Sequence, residues 1–250
     1  MIVNLQADGW EVIYHRAHAL LAAQIAGNWD YRQAPPRLYE TIAAISHHDD
    51  LEKEWEGDHL TPVGAPLDFT LERGTSVAQL RRHAAEAVYR SRWVALLISM
   101  HLCVLNQAKR GNCEEMDKFL DEQQERQAQW RKELDVSQSE ADSAYAFMQW
   151  CDRLSLILCQ RKVPMDQRSL EITDGPNGKT YYVHQQEDSS LTVHPWPFVP
   201  DQFEVNVEAC YLSQLQFDQR KDLTAALQNA PRKILTWTLA QDQDGSAAGH

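Results

Sequence analysis

Leu38-Tyr39-Glu40-Thr41-Ile42-Ala43-Ala44-Ile45-Ser46-His47-His48-Asp49-Asp50 is the stretch that decides how the rest of the chain is read. Leu38, Ile42 and Ile45 recur at helical spacing, and Pro35-Pro36 before them suits a first helical turn, whose amide hydrogens have no intrahelical acceptor. The helix predicted here ends in two imidazoles and two carboxylates. Together these suit Zn²⁺, Fe²⁺ or Mn²⁺. Adjacent side chains on a helix diverge by about 100°, so one histidine and one aspartate can converge on an ion while the others face away. Taken alone, the same residues also describe a polar helix end, with histidine complementing the dipole and the acids in water.

Working outward, a helix over His15 to Asn28 precedes this stretch, with Ala19, Ala22, Ala23 and Ala26 at helical spacing and His18 among them. By itself His18 reads as a half-buried surface histidine. Before it, Ile2 to Leu5 and Trp10 to Tyr14 read as a hairpin about Ala7-Asp8-Gly9, since Asp-Gly accepts the positive φ that such turns require. Downstream, Leu51 to Gly74 is punctuated by Gly57, Pro62, Gly64 and Pro66 and reads as a long loop forming a lid or a wall. Thr75 to Lys109 is helical with a break between Ala87 and Arg92. It carries His101 inside the apolar run Trp93 to Leu105, a buried imidazole able to support a site or move protons.

Glu114 to Leu134 is a charged, solvated helix. Ser137-x-x-Glu140 has the form of a capping box and opens a long helix reaching Lys162. Asp152 lies in its apolar part, in Trp150-Cys151-Asp152-Arg153-Leu154-Ser155-Leu156. A carboxylate there needs a partner, either a hydrogen-bonding or cationic side chain or a metal ion, and residue types alone leave both open. After Pro164 the pattern changes. Leu170 to Ile172, Thr180 to Gln185, Leu191 to His194, Phe203 to Tyr211 and Ile234 to Leu239 read as strands, with a short helix over Asp218 to Asn229.

Composition narrows the function classes. The 250 residues are 43% hydrophobic, enough to bury a core. A formal charge of −12 opposes a general nucleic-acid role. No run of about eighteen apolar residues is present for a membrane span, and the first residues lack the charged-then-apolar layout of a secretory signal. Five cysteines without a CxxC pair fit free thiols in a reducing compartment. A cytoplasmic protein is expected, with no membrane or nucleic-acid partner, a small-molecule substrate as the partner to look for, and the oligomeric state left open.

In order along the chain stand a histidine on one helix, a His-Asp pair ending the next about thirty residues later, and an aspartate far downstream on an apolar helix. This H…HD…D order resembles the HD superfamily of metal-dependent phosphohydrolases. The resemblance implies that His18, His48, Asp49 and Asp152 are the ligands of a divalent Zn, Mn or Fe ion. It leaves Asp50 and His101 as catalytic groups and His47 as an alternative to His48. A wider resemblance, to the domain-of-unknown-function family 3891, rests on several segments: Asp8-Gly9-Trp10, His48-Asp49-Asp50 with Trp55-Glu56, and Pro66-Leu67-Asp68-Phe69. Ser99-Met100-His101, Cys151 to Leu156 and Pro195-Trp196-Pro197-Phe198 continue it. It covers nearly residues 1 to 240 and brings no activity with it.

The expected fold is therefore mainly α. It is an HD-like helical bundle with an added antiparallel β segment made of the N-terminal hairpin and the C-terminal strands; the helical part with its hairpin occupies residues 1–163, the β segment packed on it 164–241, and 242–250 form a disordered tail. The expected activity is metal-dependent hydrolysis of a small phosphorylated molecule. The alternatives are a non-catalytic small-molecule or partner-binding module and a diiron oxygenase, the last needing His83 and His101 as additional ligands. Arg81, Arg82, Arg90 and Arg92 are candidates for holding a phosphate, against a plainer reading as solvated helix charge. Trp55, Phe69, Trp196 and Phe198 either line a pocket or pack the seam between the α and β parts.

Overall fold

The computed structural model describes residues 1–51, 59–71 and 76–242. Trp55, Glu56 and the tail beyond Asp242 lie outside the described residues, as does part of the loop expected over Leu51 to Gly74.

Local sequence signals account for the elements. The hairpin strands β1 (Ile2–Gln6) and β2 (Gly9–Ile13) turn at Asp8-Gly9. There Gly9 has φ +134°, and a Cβ would stand 2.0 Å from the Leu212 carbonyl oxygen. Helix α1 spans His15–Gly27 and α2 spans Leu38–His47. The predicted break separates α3 (Val77–Ala87) from α4 (Arg92–Asn106), and Ser91 caps α4 by accepting from the Val94 amide. Helix α5 spans Glu114–Leu134. Helix α6 (Gln138–Cys159) begins with the predicted capping box, Ser137 and Glu140 each bonding the other's amide.

Strands β3 (Leu170–Asp174), β4 (Thr180–Gln185), β5 (Leu191–His194) and β6 (Gln202–Leu212) follow, then α7 (Arg220–Asn229) and β7 (Arg232–Ala240).

The fold class differs from the expectation of a mainly α bundle. Among the described residues the protein has seven α-helices and seven strands. The strands form one curled, half-barrel sheet in the order β1-β2-β6-β7-β5-β4-β3. The hairpin and the C-terminal strands do join: β2 pairs antiparallel with β6, Trp10 facing Leu212 and Val12 facing Cys210. The sheet is not purely antiparallel, because β5 meets β7 in parallel at Leu191 and Leu239. Alternation along single strands predicts strands; it carries no information about pairing between residues two hundred positions apart.

Helix α1 packs on β6 and α6 on β3, so the helices cover the sheet. The seam is aromatic. Trp29 stands 4.8 Å from Trp150 and 5.1 Å from Phe147, ring centre to ring centre, and Trp150 stands 5.4 Å from Tyr181. Phe198, bridged through its backbone to Trp29, and Trp196 join this layer, so both pack the seam. On its other side α1 meets α2, and α2, α4 and α6 are in mutual contact. These four helices carry His18, the His47–Asp50 end, His101 and Asp152.

Candidate metal centre

Small side chains let the helices approach. Ala19, Ala22, Ala23 and Ala26 on α1, Ala44 on α2 and Ala144 on α6 are buried, and separation between helix axes is set by the side chains at the contact. Into this junction point three imidazoles and two carboxylates. His18, His48 and His101 are at most 3% exposed. The Asp49 and Asp152 side chains keep 18% and 17% exposure, which puts the open side of the cluster at the carboxylates. One donor atom each from His18, His48 and Asp152, and one each from His48, Asp49 and His101, lie within 4.8 Å of one another. The two groups share His48.

The direct contacts are short. His18 Nε2 lies 2.6 Å from Asp49 Oδ2, and His48 Nε2 lies 3.2 Å from Asp152 Oδ1 and 3.9 Å from Asp49 Oδ2. Each imidazole is tethered through its other nitrogen. His48 Nδ1–H donates to the Ile45 carbonyl at 2.6 Å. Ser155 spends its hydroxyl hydrogen on the Asp152 carbonyl, so its oxygen accepts from His18 Nδ1–H at 2.9 Å. His101 Nδ1 meets the Tyr145 hydroxyl at 3.4 Å. A protein oxygen on Nδ1 leaves Nε2 facing the cluster and fixes the ring, an arrangement that would suit a metal-binding histidine.

The carboxylates favour positive charge inside the cluster. Burial opposes charge on His48, yet Asp152 and Asp49 outweigh it and raise its pKa to about 9. Burial by itself would raise the two carboxyls. The His48 charge and contacts to His18 hold Asp49 well below the usual range, and the His48 charge and hydrogen bond hold Asp152 down as well. His101 falls to about 4, first by burial and then by the charge of His48. The protonated His48 ring thus lies between carboxylates and satisfies them.

The adjacent pair faces elsewhere. His47 Nδ1–H donates to Asp50 Oδ2 at 2.6 Å, Asp50 Oδ1 accepts from Arg16 Nε at 3.2 Å, and Arg90 lies 3.4 Å from His47 Nε2. His83 stacks against His47, ring centres 4.8 Å apart, and donates from Nε2 to the His48 carbonyl at 3.2 Å. So His48 faces Asp152 while His47 turns to Asp50, His101 joins the cluster, and His83 stays with His47. Ser155, Tyr145 and Arg16 escaped the sequence reading. The first two lie three residues after and seven before Asp152, on its helical face, and that spacing was the available signal.

Fold and site together define the class: helices on a half-barrel sheet, with imidazoles and carboxylates buried where four helices meet. The chain belongs to domain-of-unknown-function family 3891, described as "Protein of unknown function (DUF3891)", whose model matches residues 1–214. No curated protein and no solved structure matches the chain.

Proposed function

We propose that the chain is a metal-dependent hydrolase of a small phosphorylated molecule, with one divalent ion held by His18, His48, Asp49 and Asp152 in an HD-like arrangement. The observation that carries this reading is the convergence of three tethered imidazoles and two partly exposed carboxylates from four helices, a donor set matched to Zn²⁺, Mn²⁺ or Fe²⁺. An ion there supplies Lewis-acid polarisation of a phosphoryl oxygen and a water of lowered pKa.

The chain's own groups do the rest. Asp49 and Asp152 open the site toward solvent, which gives a substrate its approach. Asp50 follows Asp49 but is turned to His47 and Arg16; 22% exposed, it is the carboxylate through which His47 can exchange a proton with water. His101, enclosed between His48 and Tyr145, orients the cluster from inside. The diiron reading would require both His83 and His101 at the centre, and His83 instead packs against His47 and spends Nε2 on the His48 carbonyl, with its buried Nδ1 unbonded among the described residues.

Elemental analysis of protein purified without chelator tests the proposal, beside His48→Ala and Asp152→Ala. About one equivalent of a transition metal is expected, lost in both variants, together with phosphate release from an ester panel that the variants lack. No metal retained and none taken up would sink the hydrolase reading and leave the binding module.

A further inference from the structure

A sheet edge presents a row of backbone donors and acceptors, and this fold covers several of its own. Along β1, Asp68 accepts from the Val3 amide at 2.9 Å and the Met1 carbonyl accepts from the Phe69 amide. Strand β3 is short and bulged. Strand β6 outruns its pairing with β2, and there the Gln24 side chain of α1 stands in for a strand. It donates to the Asn206 carbonyl at 2.9 Å and accepts from the Asn206 amide at 3.0 Å. Strand β7 is different. It pairs with β6 from Arg232 to Ala240 but meets β5 only at Leu191 and Leu239, so Arg232 to Thr238 have an open side. Because Asn206 turns its amide and carbonyl to Gln24, Thr236 opposite it turns both away from β6. Antiparallel alternation gives Arg232 and Ile234 the same direction. Among the described residues nothing pairs with these backbone groups.

The side chains leave the edge approachable. Ile234 is 59% exposed, beside half-buried Leu235 and Trp237. The two cations that could repel a neighbouring strand are drawn back over β6: Arg232 bonds Glu208 at 2.6 Å, and the Lys233 ammonium lies 4.7 Å from the centre of the Tyr211 ring. We infer that β7 pairs antiparallel with β7 of a second copy of this chain, about a twofold axis at Leu235, so that one sheet continues into the next. The register follows from the backbone, since each hydrogen-bonded pair must join two residues that face outward. The longest ladder on the open stretch is centred at Leu235. It sets Ile234 against Thr236, Arg232 against Thr238, Lys233 against Trp237 and Leu235 against itself, and no two like charges stand opposite. It also brings the second copy's Arg232 toward Glu204, which neighbours Thr238 on β6 and is exposed with no cationic partner among the described residues. The same patch thus serves both chains, as a twofold interface requires.

Sedimentation equilibrium of the full chain over a range of micromolar concentrations tests this. A dimer that dissociates on dilution is expected, because a single strand pair is a small interface. Thr236→Pro removes an outward amide that the monomer does not use and puts a ring into the ladder. It is expected to weaken the dimer at least about ten-fold while keeping the unfolding temperature of dilute wild type. Leu235→Cys is made in a Cys113→Ser background, which leaves only buried native thiols. On oxidation it should form an interchain disulfide, because the two residues on the axis face each other as a non-hydrogen-bonded pair, within disulfide reach. Wild type that stays monomeric at every concentration overturns the inference and leaves the edge to a strand of another protein. A dimer that keeps its affinity in Thr236→Pro, or that Leu235→Cys does not cross-link, overturns it too, since association then runs through another face or register. Should Thr236→Pro unfold, the cross-link decides alone.

Discussion

At the scale of single residues, each imidazole of the cluster owes its orientation to one oxygen: Ile45 O for His48, Ser155 Oγ for His18, Tyr145 OH for His101. Removing such a partner leaves the ligand but frees its ring and tautomer. Tyr145→Phe keeps the buried ring volume and Ser155→Ala removes one atom, so both variants should fold. Each is expected to weaken metal binding about 10- to 100-fold. Competition against a chelating dye measures this, and wild-type affinity in both variants would show the tethers to be incidental. The residues of the cluster were legible because imidazole and carboxylate side chains in apolar helices demand partners. The tethers were less legible, since serine and tyrosine are ordinary on a buried helical face. Arg16 was not legible, because an arginine on an exposed helix face carries no pattern.

Among the elements, α6 does the most to connect sheet and site. One face sets Trp150 in the aromatic seam, another presents Tyr145, Asp152 and Ser155, and its end is clasped to the sheet. Glu11 on β2, fully buried, accepts two hydrogen bonds from Arg161 at 2.9 and 2.6 Å and others from Tyr211 and Asn4. Burial would raise the Glu11 carboxyl; Arg161 and Tyr211 hold it below its ordinary value. Arg161→Met leaves this carboxylate buried without its counter-charge, and a loss of about 3 kcal/mol is expected in urea denaturation, a midpoint near wild type being the contrary result. Trp150→Ala should cost about 3–5 kcal/mol by opening a cavity in the seam, read the same way. Helix α6 was legible down to its capping box. The clasp was not, because Glu11 lies in an alternating strand where a charged residue is ordinarily solvent-facing.

For the whole molecule, the buried histidines set how stability follows pH. In the metal-free protein His48 has a pKa raised to about 9, above its ordinary 6.5, so its contribution is full below 6.5 and is lost as pH rises through 9. His15, His83 and His101 are lowered to about 4, chiefly by burial, so the unfolded chain takes up their protons first and stability falls as pH drops from 6.5 toward 4. Metal-free protein should therefore have its highest unfolding temperature near pH 6.5. A bound ion displaces the His48 proton, which removes the alkaline decline. Thermal scans from pH 5 to 9 on stripped and loaded protein check this, and an unfolding temperature of the stripped protein that climbs steadily to pH 9 would contradict it.

From its sequence alone this protein already had its helices and strands, the capped start of α6, the Asp8-Gly9 turn and the residues of the His/Asp cluster. All of these depend on periodicity, turn chemistry and residue type over a few positions. Tertiary structure decided that the hairpin and the C-terminal strands form one mixed sheet, that His48 rather than His47 faces Asp152, and that Arg90 turns onto His47. These depend on pairing and packing between segments far apart in the chain, where a one-residue slip in register or a 100° turn of a helix changes the partner and leaves the local pattern unchanged.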